Sequence, residues 1–145
     1  MQFKGTENFK VSELEYSETA QKHKIDNTIP DELEGNAKRL LEFVQGIRDK
    51  WGSGLLITSG FRGDVLNKLM GGSKTSAHRK CNAVDLYPVN NKFEEFRVFM
   101  IEYLKDKNFD QCIEESSNNG KTKWIHFGLY NNSDRQRRQI FSLDV

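Results

Sequence analysis

One stretch dictates what the rest of this chain must be built around. After Pro30, the residues Leu33, Ala37, Leu40, Leu41, Val44, Ile47 and Trp51 recur at steps of three and four. That is a single apolar stripe on a long helix, which Gly52 and Gly54 then end. A stripe of this kind needs a second apolar layer to cover it, and the remaining apolar runs are short enough to be strands. Leu55-Leu-Ile-Thr58 reads as a buried strand, and Asn82 to Tyr87 as a strand closed by Pro88. Phe109 to Glu115 and Lys121 to Leu129 are strand-like on either side of Asn118-Asn-Gly120, a strong hairpin signal. Arg138 to Leu143 adds an edge strand. Asp64 to Met70 gives one or two helical turns stopped by Gly71-Gly72, and Phe93, Phe96, Met100, Tyr103 and Leu104 mark a second amphipathic helix. Residues 1–29 read as an extended entry followed by short helical pieces, with starts at Ser12, in capping-box spacing with Glu15, and at Ser17. The order predicts an α+β fold: one domain over residues 1–145, an antiparallel sheet, and helices packed to one side.

Composition narrows the class of function. At 145 residues with two Pro, no repeat and no linker, the chain has room for one domain. Only 36% of residues are hydrophobic, but ten Phe, four Tyr and two Trp can bury large areas. The 22 Lys and Arg nearly balance 21 Asp and Glu, which excludes a nucleic-acid partner held by bulk charge. No apolar run reaches the roughly 20 residues of a membrane span, so no membrane insertion is expected. The N-terminal residues lack a basic-then-apolar signal pattern, which predicts synthesis and folding in a cytoplasm. Two Cys are too few for a disulfide scaffold and are expected as free thiols. A monomer is expected.

Three side chains stand out for chemistry. His78 lies in a polar Gly/Ser/Lys loop, Asp85 in the apolar Ala83-Val-Asp-Leu86, and His126 in Trp124-Ile-His-Phe127. A carboxylate inside an apolar strand is costly unless it is paired or binds a cation. Two imidazoles and a carboxylate supply three ligands for tetrahedral zinc, leaving a fourth position open for water and for hydrolytic chemistry. Taken singly, each has a plainer reading: a hydrogen-bonded core histidine or a charge at a loop edge.

The wider pattern is similar to a known family. Ser59-Gly-Phe-Arg62, Asn67, Gly71-Gly-Ser-Lys-Thr-Ser-Ala-His78, Ala83-Val-Asp85 and Trp124-Ile-His126 resemble the zinc D-alanyl-D-alanine carboxypeptidases. That family includes vancomycin-resistance D,D-dipeptidases and phage and prophage endolysin peptidases, and shares the hedgehog-like zinc-peptidase fold. The likeness to its phage-type branch extends to Asn8-Phe-Lys-Val-Ser-Glu13, Ile25-Asp-Asn27, the helix from Asn36 to Arg48, Phe109-Asp-Gln111 and the Arg137-Arg138 tail.

The resemblance implies one zinc per chain on His78, Asp85 and His126. It also implies that Arg62 binds the substrate carboxylate or the developing oxyanion. Ser76 would hydrogen-bond substrate or orient the loop, and Trp124 would wall the site. Two positions depart from the family pattern: Cys81 stands where Gly is usual, and Lys123 stands where many members carry the acidic general base. Glu114 and Glu115 are the carboxylates nearby, and strand alternation lets only one face the metal. Ile113 should point into the core, but periodicity does not choose between the two. The phage-type relatives have Glu five residues after the Asp of Phe-Asp-Gln, which implies Glu115 as the base and leaves Glu114 to solvent.

The activity implied is hydrolysis of peptide bonds in bacterial peptidoglycan, in stem peptides or cross-links, as a D,D-carboxypeptidase or endopeptidase. The chain would reach the wall after release from the cell, or as a phage or prophage component. Lys123 keeps a rival open, a non-catalytic wall-binding or virion module of the same fold. A Cys112–His126 nucleophile pair is a third reading. His23 reads as a solvated helix residue, and Arg135, Arg137 and Arg138 as a solvated basic tail.

Overall fold

The computed structural model describes residues 1–133 and 135–145. In chain order its helices are α1 (Val11–Glu15), α2 (Glu18–Lys22), α3 (Glu34–Trp51), α4 (Asp64–Leu69) and α5 (Phe93–Tyr103). The strands are β1 (Leu55–Ser59), β2 (Ala83–Pro88), β3 (Gln111–Ser117), β4 (Thr122–Gly128) and β5 (Gln139–Asp144). The helix predicted after Pro30 forms as α3. One 3-10 turn precedes it, and Gly52 closes it at φ 81, a conformation that costs glycine little. Its stripe is fully buried from Ala37 to Ile47, each large side chain contributing about 1.5–3 kcal/mol.

The five strands form one sheet in the order β1-β2-β4-β3-β5. The hairpin turns through Asn118, Asn119 and Gly120, all at positive φ, and sets Ile113 opposite His126 and Glu115 opposite Trp124. β2 pairs with β4 so that Asp85 lies opposite His126. α3 and α5 cover the face that carries Val84, Leu86, Cys112, Ile125 and Phe127; Phe43 stacks on Phe127 at 5.1 Å. The opposite face carries Asp85, His126, Ile113 and Glu115, and loops together with the turn that carries His78 rim it.

The sequence reading needs four corrections. The sheet is not antiparallel throughout, because β5 runs parallel to β3. β4 ends level with Gln111, and an Arg137–Asp110 ion pair fixes the next strand's start at that same end. β1 is a half-exposed edge rather than a buried strand, with Leu55 inward and Leu56 outward. α1 begins at Lys10, not Ser12: the Glu13 carboxylate accepts the Lys10 N–H at 2.7 Å, and this start turns Val11 and Leu14 inward. Ile113 is buried, yet on the loop-rimmed face, because it shares strand parity with Gln111 and Glu115. The Ser17 start holds, with its hydroxyl accepting the Ala20 N–H at 3.1 Å.

Candidate metal centre

His78 sits on a short 3-10 turn, Ala77–Lys80, that Ser76 caps by accepting the His78 N–H at 3.3 Å. The Ser76 hydroxyl thus orients the loop, and Ser76 also lines the cleft described below. Cys81 closes the turn in the left-handed region at φ 58, the conformation for which Gly would be the easier residue. Its thiol is fully buried among apolar side chains, and burial, aided by the negative charge of Glu15, pushes it up to about 12. It offers no thiolate to the site.

The His78 ring is fixed from behind. Its Nδ1 lies 2.7 Å from the Gly60 carbonyl oxygen, which can only accept, so Nδ1 carries the proton and Nε2 is left to face Asp85. Gly60 is needed for this: a Cβ there would stand 2.7 Å from the backbone of Leu14, where α1 crosses. His78 Nε2 is 3.4 Å and His126 Nδ1 3.2 Å from the same oxygen, Asp85 Oδ1. The three ligand atoms all lie within 4.8 Å of one another. Burial opposes the charge on Asp85, but His78 and then His126 outweigh it and hold the carboxyl well below the usual carboxylate range. Two imidazoles and an ionised carboxylate, one imidazole already held by an outer partner, form a donor set suited to zinc.

The centre lies in a cleft of about 400 Å³ lined by Arg62, Ser76, Glu115, Tyr130 and Arg137 among others. Arg62 follows β1 and forms no ion pair among the described residues; its buried Nε has no hydrogen-bond partner there either. Glu115 shares the metal face with His126, and the Trp124 indole Nε1 donates to Glu115 Oε1 at 2.7 Å. Trp124 is not among the residues that line the cleft; it reaches the site through Glu115.

Glu114 is not solvent-facing as expected. It lies on the helix-covered face, 3.7 Å from Arg97, with its side chain 18% exposed. Lys123 lies on that same far side, 3.9 Å from Glu94 of α5. A residue three places from His126 in a regular strand has opposite parity, so Lys123 faces away from Asp85 and His126. Cys112 also faces the helices, opposite Phe127, and burial pushes its thiol up to about 12. No Cys–His pair with His126 exists.

Four parts of the site carried no role in the sequence. Asn27 ties the Arg62 loop to α1: its amide donates to the carbonyls of Glu15 and Phe61, each at 2.9 Å, and its oxygen accepts Gly63 N–H at 2.9 Å. Asp110 is buried and receives the Arg137 guanidinium on both oxygens, at 2.9 and 2.6 Å. Arg138 lies over the Phe109 ring and donates to the carbonyls of Lys105 and Lys107. Two arginines of the supposed solvated tail are therefore structural, while His23 is exposed as expected. Gly60 and Gly72 are close-approach glycines. Their only sequence signal was membership of the quoted motifs.

No helix among the described residues is long and apolar enough to cross a membrane. A family model described as Peptidase M15 matches residues 7–127, which include all three candidate ligands and both carboxylates of β3. No protein of curated description matches the chain.

Proposed function

Since the chain belongs to the peptidase M15 family, a family of zinc peptidases, we propose that it hydrolyses peptide bonds of bacterial peptidoglycan, in stem peptides or cross-links. The observation that carries the reading is the convergence of His78, Asp85 and His126, with ligand atoms within 4.8 Å, beside a cleft that His78, His126, Glu115 and Arg62 line. These three residues would hold the zinc. When bound, the metal would supply Lewis acidity that polarises the scissile carbonyl.

The chain's own groups supply the rest. Glu115 takes a proton from the attacking water on one carboxylate oxygen and returns it to the leaving amine. Arg62, with no ion-pair partner among the described residues, pairs with a substrate carboxylate or with the carbonyl oxygen as charge develops there. The Gly60 carbonyl keeps the His78 imidazole oriented. The likeness of the motifs to phage-type endolysin peptidases supports a wall substrate reached after the enzyme leaves the cell that made it.

The test is digestion of purified peptidoglycan with and without a chelator, with products identified by mass spectrometry. New amino termini that appear only without chelator are the expected result. An unchanged product profile in both arms rejects the reading. Glu115→Gln should keep its zinc and its fold and lose on the order of a hundredfold or more in rate.

A further inference from the structure

We propose that Trp124 is a positioning residue for Glu115: its indole N–H holds one carboxylate oxygen and thereby aims the other at the metal cleft. The proposal rests on the reading of Glu115 as the base. Trp124 and Glu115 are cross-strand partners in the β3–β4 hairpin, and the bond between them is 2.7 Å from Nε1 to Oε1. A neutral donor to a carboxylate makes a charge-assisted bond, shorter and stronger than a neutral pair. It restrains a side chain that is otherwise free about three torsions, and that neither ion pairs nor accepts from a backbone amide among the described residues.

The rest of the hairpin supports this assignment. Trp124 and His126 are two residues apart on one strand, so one rigid element sets both the ligand and the donor. The indole has a single N–H and no acceptor, so it can hold Oε1 without competing for the proton that Oε2 must carry. Glu114, the neighbouring carboxylate, is engaged by Arg97 on the other face and cannot substitute. Trp51, the second tryptophan, has its buried Nε1 without a partner among the described residues. It is therefore an internal reference for an unbonded indole.

The experiment has a spectroscopic and a kinetic arm. In the metal-free protein labelled at its two indole nitrogens, the Trp124 N–H proton should resonate downfield of the Trp51 proton, with Trp51→Phe giving the assignment. Glu115→Ala should move the Trp124 signal upfield and leave that of Trp51 in place; an unmoved Trp124 signal overturns the proposal. On purified peptidoglycan, the zinc-loaded Trp124→Phe enzyme should lose about ten- to a hundredfold in kcat, the scale for residues that orient a reacting group. Its KM and zinc content should stay within about twofold, because binding and ligation are untouched. In a Glu115→Ala background the same substitution should cost nothing further; an equal loss there means that Trp124 acts through something else and overturns the proposal. Full turnover by Glu115→Ala, with the indole shift intact, instead overturns the base assignment beneath it.

Discussion

Arg62 and its surroundings show how much a single side chain depends on what stands behind it. A Cβ on Gly72 would stand 2.2 Å from the Asn67 side-chain oxygen and 3.3 Å from an Arg62 terminal nitrogen. Gly72→Ala should therefore displace the guanidinium and lower kcat/KM while the protein still folds. Arg62→Lys should also fold and lose most activity, because a point ammonium cannot reproduce a planar fork; turnover beside a thermal melt checks both. Wild-type turnover in folded Arg62→Lys would assign Arg62 to structure. The thiols give an independent check on burial. With Cys81 and Cys112 both pushed up to about 12, a chromogenic disulfide reagent should titrate neither at pH 8 until denaturant is added. Asp85 and His126 stood out in the sequence because a polar group within an apolar strand needs a reason, while His78 in its polar loop was marked by the resemblance of its motif. What Glu115 touches was not legible, since it depends on a partner across the hairpin.

At the level of elements, the sequence located every helix and strand because stripe, alternation and turn chemistry agree along the chain. It missed the direction of β5, which is decided by a tertiary ion pair rather than by local pattern. That ion pair predicts a pH dependence. Burial alone would raise the Asp110 carboxyl, but bonds from Arg137 and Asn131 outweigh it and lower the carboxyl below its ordinary value. A carboxyl lowered in the folded state binds fewer protons than in the unfolded chain. Its contribution is complete above the unfolded value of about 3.9 and is lost as pH falls from there through the lower folded value. Urea melts of wild type and Asp110→Asn should thus differ most at pH 6 and converge toward pH 3. A gap that ignores pH would remove the carboxylate as the anchor of β5. Asn27→Ala should cost about 2 kcal/mol in a urea melt, since one buried and two part-buried backbone groups lose their partner. It should also lower activity by loosening the Arg62 loop.

For the whole molecule, zinc should act as a stabilising ligand of the folded state alone. At a thousandfold excess over its Kd it contributes about 4 kcal/mol, so chelation should lower the melting temperature and added zinc should restore it. His78→Ala and Asp85→Ala should abolish that response, and stoichiometric zinc in both variants would reject the site. The response should fade in acid, because both imidazoles must be neutral to bind. The division of the sheet into a helix-covered face and a cleft-lining face also has a consequence for how this protein tolerates change. Along β3 and β4, consecutive residues serve different faces, one the helix-covered core and the other the cleft. In a saturation scan scored separately for cellular abundance and for wall hydrolysis, substitutions at Cys112, Ile125 and Phe127 should deplete abundance. Those at Glu115 and His126 should leave abundance intact and abolish hydrolysis. Evolution could then drift one face toward a new substrate while the other stays fixed, one residue apart on the same strand.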